Sequence, residues 1–136
     1  MTSDDATPRS YPVELTTRQW QIIDGTVDSE VSVEAENGDP RGVVELGQQI
    51  RIAGWDQVAH WTPGVPGSGN WPPDGQVVSV TLLRDQWALV CSSLTRWAKV
   101  SERLGDVESA SASRVIRDLV VAQVREHDPM WGTDLA

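Results

Sequence analysis

The chain has 136 residues, a net charge of −9 and a hydrophobic fraction of 39%, the size and balance of one ordinary globular domain. So acidic a balance argues against non-specific binding to nucleic acid or to an anionic membrane, both of which need a positive surface. The single cysteine excludes an intramolecular disulfide framework and a cysteine-based zinc cluster.

In chain order, residues 1–10 read as a flexible leader. With Asp4 and Asp5 it lacks the basic-then-apolar order of a signal peptide. No apolar run approaches the ~20 residues of a membrane span, so the expected location is cytoplasmic. Tyr11 to Thr16 alternates as a short strand does. Trp20, Ile23, Val27 and Val31 then fall on one stripe of a helix, and Thr16 with Gln19 forms a candidate capping box. Gly38-Asp39-Pro40 reads as the tight turn of an αα-hairpin, with Gly38 ending one helix, Asp39 capping the next and Pro40 at its first position. The partner helix carries Val43, Leu46, Ile50 and Ala53 but is interrupted by Gly42, Gly47 and Gly54. Each interior glycine costs roughly 1 kcal/mol against alanine. A β-hairpin around Asn37-Gly38 is the rival reading of this stretch.

From His60 to Gly75 there are four Pro and four Gly with Trp61 and Trp71, a loop that continues neither helix nor central strand. A stretch holding two Trp is expected to pack partly back on the bundle. Gln76 to Leu82 is a second strand. Trp87, Val90, Leu94, Trp97 and Ala98 repeat the helical stripe, with Leu104 as its extension. Gly105-Asp106 is a second hairpin turn, and Val115, Ile116, Leu119, Val120 and Val124 give the last helix a broad apolar face. Residues 127–136 form a polar tail in which Trp131 reads as exposed.

The second half restates the first. With Trp87 laid on Trp20, Gln86 meets Gln19, Val80 meets Val13, and Gly105-Asp106 meets Gly38-Asp39. After one gap Ile116-Arg117 meets Ile50-Arg51 and Gln123-Val124 meets Gln57-Val58. A repeat of this length is one supersecondary unit used twice. The expected fold is therefore mainly α, α+β at most: a tandem repeat of two βαα units, 11–59 and 77–126, joined by the loop 60–76. Its four helices pack as a bundle, with two short strands that pair with each other or with those of a second molecule. A homodimer is one expectation.

Chemistry is sparse. Cys91 lies in mid-helix beside apolar neighbours and reads as a buried, inert thiol. His60 and His127 have no metal-ligand spacing between them. Gly64 to Gly69 is rich in glycine but precedes no helix, so it is no phosphate cradle. Asp24 to Asp28 lacks the ligand order of a calcium loop. No enzyme activity, metal or cofactor is expected.

Trp20 and Trp87 read as repeated core anchors rather than a stacking pocket. Trp61 and Trp71 sit off any periodic stripe, where they either plug the loop onto the bundle or clamp a ligand. Between Gln19 and Pro40 the acids Asp24, Asp28, Glu30, Glu34, Glu36 and Asp39 stand without a base, which reads as a solvated helix face. Arg96, Lys99 and Arg103 share one helical face, either as a partner or anion site or as a face turned toward the acidic helix of the other repeat. The leading expectation is a small acidic regulatory or accessory protein that binds a protein partner through Trp61, Trp71, Arg96, Lys99 or Arg103. The alternatives are a small-ligand module built on the Trp loop and an acidic mimic of nucleic acid that binds a basic protein.

Overall fold

The computed structural model describes residues 9–59 and 71–132. Strand β1 (Ser10–Thr16) leads into α1 (Thr17–Glu36), followed by α2 (Val44–Gly54) and a π-helical turn, Trp55–Ala59. Strand β2 (Val77–Leu83), α3 (Arg84–Arg103) and α4 (Val107–His127) then repeat the order. The protein is mainly helical, with two βαα units and a two-stranded antiparallel sheet.

The sheet shows how the two copies are related. Val13 faces Val80, and these are equivalent residues of the two units. Every other pair in the register is symmetric about that one: Glu14 faces Ser79 as Thr81 faces Pro12. A pseudo-twofold axis therefore passes through the Val13–Val80 pair. Tyr11, Val13, Leu15, Val80 and Leu82 are buried beneath the helices, alternating with exposed neighbours as strand geometry requires. Against them pack the two helical stripes, Trp20, Ile23, Val27 and Val31 from α1 and Trp87, Val90, Leu94 and Ala98 from α3.

The outer edges of the strands are covered symmetrically. Gln57 donates to the Thr81 carbonyl at 2.9 Å and accepts from its N–H at 2.7 Å. Gln123, its equivalent, makes the same pair of bonds to Glu14, both at 2.8 Å. Each glutamine amide thus imitates a third strand for one residue of the other unit, occupying backbone groups that an exposed edge leaves open. Gln57→Ala and Gln123→Ala are each expected to cost about 1–2 kcal/mol in urea unfolding. Near-equal losses are the expected result, and loss in only one variant would deny that the contact is shared by both copies.

Helix entry is also repeated. Thr16 and Gln19 form the full capping box of α1. Leu83 supplies no acceptor to α3, yet Gln86 still accepts from the Leu83 N–H at 2.8 Å, so half of the box survives. The Thr17 N–H bonds the Gln76 carbonyl at 2.9 Å, and its counterpart Arg84 bonds Arg9 at 2.8 Å. These contacts satisfy donors that a helix start leaves without partners.

Several expectations need correction. Residues 44–54 are helical, but α2 begins four residues after Pro40, which lies in a turn. Asp39 adopts a positive φ of 55°, and its carboxylate reaches across that turn to the N–H groups of Val43 and Val44 at 2.8 and 3.3 Å. Gly47 and Gly54, read as interruptions, are buried contact points. A Cβ on Gly54 would lie 2.1 Å from the Trp20 ring, and one on Gly47 would lie 2.3 Å from Val31. Leu104 does not extend the core stripe and is 79% exposed. Trp131 is only 3% exposed, because Arg125 donates to the carbonyls of Trp131 and Gly132 at 2.8 and 2.9 Å. The tail is anchored further by the Tyr11 hydroxyl, which donates to the buried Asp128 carboxylate at 3.0 Å. The leader, apart from Arg9 and Ser10, lies outside the described residues.

The acidic face of α1 is only partly solvated: Asp28 and Glu36 are exposed, but Glu30 and Glu34 are buried. Glu30 is 1% exposed, accepting from Arg96 at 2.8 Å, from the Trp97 indole at 2.9 Å and from Arg41. Glu34 is buried beside it and also pairs with Arg41. Six residues earlier in the helix, Asp24 and Asp28 hold Arg51 at 3.1 and 2.8 Å. Each i,i+4 pair of acids straddles an arginine, which removes the repulsion such a pair would otherwise suffer.

Candidate binding cleft

The cleft begins with Gly54. Lacking a side chain, it lets α2 lie directly on the buried Trp20 indole and so brings the helix down onto α1. The stripe Val43, Leu46, Ile50 and Ala53 faces the core. Gln48, Arg51, Ile52 and Trp55 form the neighbouring face, spaced three and four residues apart. Ile52 and Trp55 remain 60% and 44% exposed. The helix then widens into its π turn at Trp55, a distortion found often at functional sites.

Across from this face stands Trp71, where the described chain resumes after the connection. Trp71 is half-buried against the core, and the next residue, Pro72, is buried. Its indole meets that of Trp55 edge to face, with centroids 5.7 Å apart and an angle of 87°. Among the described residues, Asp24, Gln48, Arg51, Ile52, Trp55 and Trp71 line an open cleft of about 490 Å³. At its polar end Asp24 binds Arg51 through both oxygens, at 3.1 and 3.4 Å, and Asp28 takes a third guanidinium N–H at 2.8 Å. The hydrogen bond to Asp24 and the two carboxylate charges raise the Arg51 pKa above its ordinary value.

The second unit does not repeat this site. Where the first has Asp24, Ile52 and Trp55, the second has Cys91, Asp118 and Val121. Arg117 stands at the Arg51 position but is held by Asp118 and by Thr95, at 2.9 and 3.3 Å. What both units share, strand pairing, capping and glutamine edge contacts, serves the fold. Among the described residues, the cleft is lined in the first unit by Asp24, Ile52 and Trp55, positions at which the two units differ.

The residues singled out in the sequence have varied fates. Trp71 lines the cleft, while Trp61 lies outside the described residues, as does His60. Arg96 reaches across to the acidic helix of the other unit and bonds Glu30. Lys99 and Arg103 are exposed on α3 and line no part of the cleft. Ile52, Trp55 and Gln48 were not anticipated, although their i, i+4, i+7 spacing places two large apolar residues off the core stripe of α2. Among the described residues no group of three or more His, Cys, Asp or Glu is placed to hold a metal ion, and no helix is long and apolar enough to cross a membrane.

Burial pushes the Cys91 thiol up to about 12 from an ordinary value of 9.0. Iodoacetamide at pH 8 is expected to leave native Cys91 unmodified over hours and to alkylate it within minutes in urea. The folded thiol stays protonated where an unfolded one ionises. Its contribution is therefore intact below about pH 9 and falls as pH rises toward 12. Rapid alkylation of the native protein would contradict this burial.

Comparison of the chain with protein-family models, with curated proteins and with solved structures gives no match.

Proposed function

We propose that this chain is a small, acidic, non-enzymatic interaction protein that docks a partner protein through the cleft between α2 and Trp71. The observation that supports this reading most directly is the exposure of Ile52 and Trp55, 60% and 44%, beside Trp71 at the rim of a cleft of about 490 Å³. A branched aliphatic side chain as exposed as Ile52 on a helix face favours being covered, and Trp is enriched among residues that dominate binding energy. Gln57 and Gln123 occupy the outer strand edges, which favours docking on helices over strand addition by a second copy. Burial of Glu30 and Glu34 takes two acids away from any surface that would imitate nucleic acid.

A second reading places a small ligand in the same cleft, whose volume falls within the ~300–1,000 Å³ typical of ligand pockets. One experiment separates the two. Tagged wild-type protein, Ile52→Asp and Leu104→Asp are used for capture from lysate of the cells that make it, with mass spectrometry of bound proteins and released small molecules. The expected result is a stoichiometric protein that is lost with Ile52→Asp and kept with Leu104→Asp, an exposed apolar site elsewhere. A metabolite lost with Ile52→Asp instead would establish the ligand reading. A partner retained by both variants would move the docking surface off the cleft.

A further inference from the structure

Arg96, Lys99 and Arg103 stand at i, i+3 and i+7 on α3, one exposed ridge spanning about 10 Å of helix axis. Their counterparts on α1 are Ser29, Ser32 and Glu36, so the basic ridge, like the cleft lining, lies where the two units differ. Arg96 gives one nitrogen to Glu30 at 2.8 Å and keeps 43% of its side chain in water. Arg41 and Arg96 against Glu30 and Glu34 cancel in charge. Glu102, the acid beside Lys99 and Arg103, is held through both oxygens by Arg114 at 2.7 and 2.6 Å. That hydrogen bond, with Lys99 as a lesser contributor, keeps the Glu102 carboxyl below its ordinary value. Lys99 and Arg103 are therefore the surplus: both are exposed, and neither is in an ion pair among the described residues. Like charges at i,i+4 destabilise a helix. The acidic pairs Asp24/Asp28 and Glu30/Glu34 are each relieved by an arginine, whereas no ion pair relieves Lys99 and Arg103, in a chain with 20 acidic residues against 11 basic ones. The fold gains nothing from that repulsion, and an anionic partner would remove it.

We infer that this ridge docks an acidic segment of a partner protein, with carboxylates at Lys99 and Arg103 and a third at the N–H groups of Arg96 that Glu30 leaves open. The surface is separate from the cleft, none of whose lining residues belongs to α3. A short acidic segment meets the ridge alone. A nucleic acid or an anionic membrane extends past it, into the repulsive field of a chain at −9.

The test uses the full chain, ¹⁵N-labelled, with three probes: acetylated, amidated peptides of six glutamates or six glutamines, and an oligothymidylate carrying the same number of charges as the glutamate peptide. Binding is followed by the backbone amide resonances of α3. The expected result is binding of the glutamate peptide about tenfold tighter than the glutamine peptide, with shifts centred on Lys99 and Arg103 and the difference lost in high salt. The double variant Lys99→Gln, Arg103→Gln is expected to keep the wild-type urea midpoint, since both side chains are exposed, and to bring the ratio of the two peptides toward one. Equal binding of the two peptides to the wild type, or a tenfold ratio that survives in the double variant, would overturn the proposal. Tighter binding of the oligothymidylate than of the glutamate peptide would overturn it in favour of a nucleic-acid partner. Absence of any shift in α3 would overturn it as well, and none of these results bears on docking at the cleft, which uses other residues.

Discussion

Gly54→Ala is expected to lower stability by about 2–3 kcal/mol in urea unfolding, even though alanine is the better helix former by ~1 kcal/mol. The added methyl would lie 2.1, 2.3 and 2.4 Å from Cζ2, Cε2 and Nε1 of Trp20. No real contact is that short, so the ring or the helix has to move. Trp20 is fully buried, and its N–H finds no hydrogen-bond partner among the described residues. The ring therefore has neither space to retreat nor a bond to exchange. Trp87, its counterpart, donates to the Tyr11 carbonyl at 2.9 Å, and Val120 stands where the first unit has Gly54. Gly25→Ala is the control, because a Cβ there meets nothing within 4 Å in the middle of α1. It is expected to stabilise by about 0.5–1 kcal/mol. Equal small effects at the two glycines would contradict the close approach of α2 to Trp20. Loosening this contact is also expected to disturb the cleft, since Gln48, Arg51, Ile52 and Trp55 ride on the same helix.

Glu30→Ala is expected to cost about 3 kcal/mol, against near zero for the exposed Glu36→Ala on the same helix. Glu30 is 1% exposed and accepts from Arg96, from Trp97 and from Arg41. It stands at the position of Trp97 in the other unit, so this contact joins equivalent positions of the two copies across the pseudo-twofold. Removing the carboxylate leaves a cavity and takes the partner from the Trp97 N–H. Arg41 and Arg96 are each nearly half-exposed and turn toward water at lower cost. Arg96→Ala is therefore expected to be milder than Glu30→Ala, by about 1–2 kcal/mol. A Glu30→Ala loss below about 1 kcal/mol would mean that the network adds little beyond solvated ion pairs.

Much of the scaffold is legible in the sequence because it is written twice. Shared spacing of Trp20 with Trp87 and of Gly38-Asp39 with Gly105-Asp106 marks helix faces and turns that local physics determines. The glycines of α2 mislead, since propensity counts their cost while only the packed structure shows that Trp20 and Val31 leave no room for a Cβ. Burial of Glu30 and Glu34 is likewise hidden: a run of acids looks solvated until the helix carrying Arg96 and the turn carrying Arg41 are brought against it. Trp71 is visible as an aromatic outside any periodic stripe. Its companion Trp55 is not, because it lies off the apolar stripe by which α2 meets the core.

The central claim is that the two units share a scaffold and that binding lies where they differ. It is tested most directly by a photo-crosslinking residue, p-benzoylphenylalanine, placed at position 52 or at its counterpart position 118 in the cells that make the protein. Ile52 and Asp118 are both exposed at equivalent places on α2 and α4. The account predicts a discrete protein adduct from position 52 and none from position 118. An adduct from position 118 alone, or the same adduct from both, would contradict it.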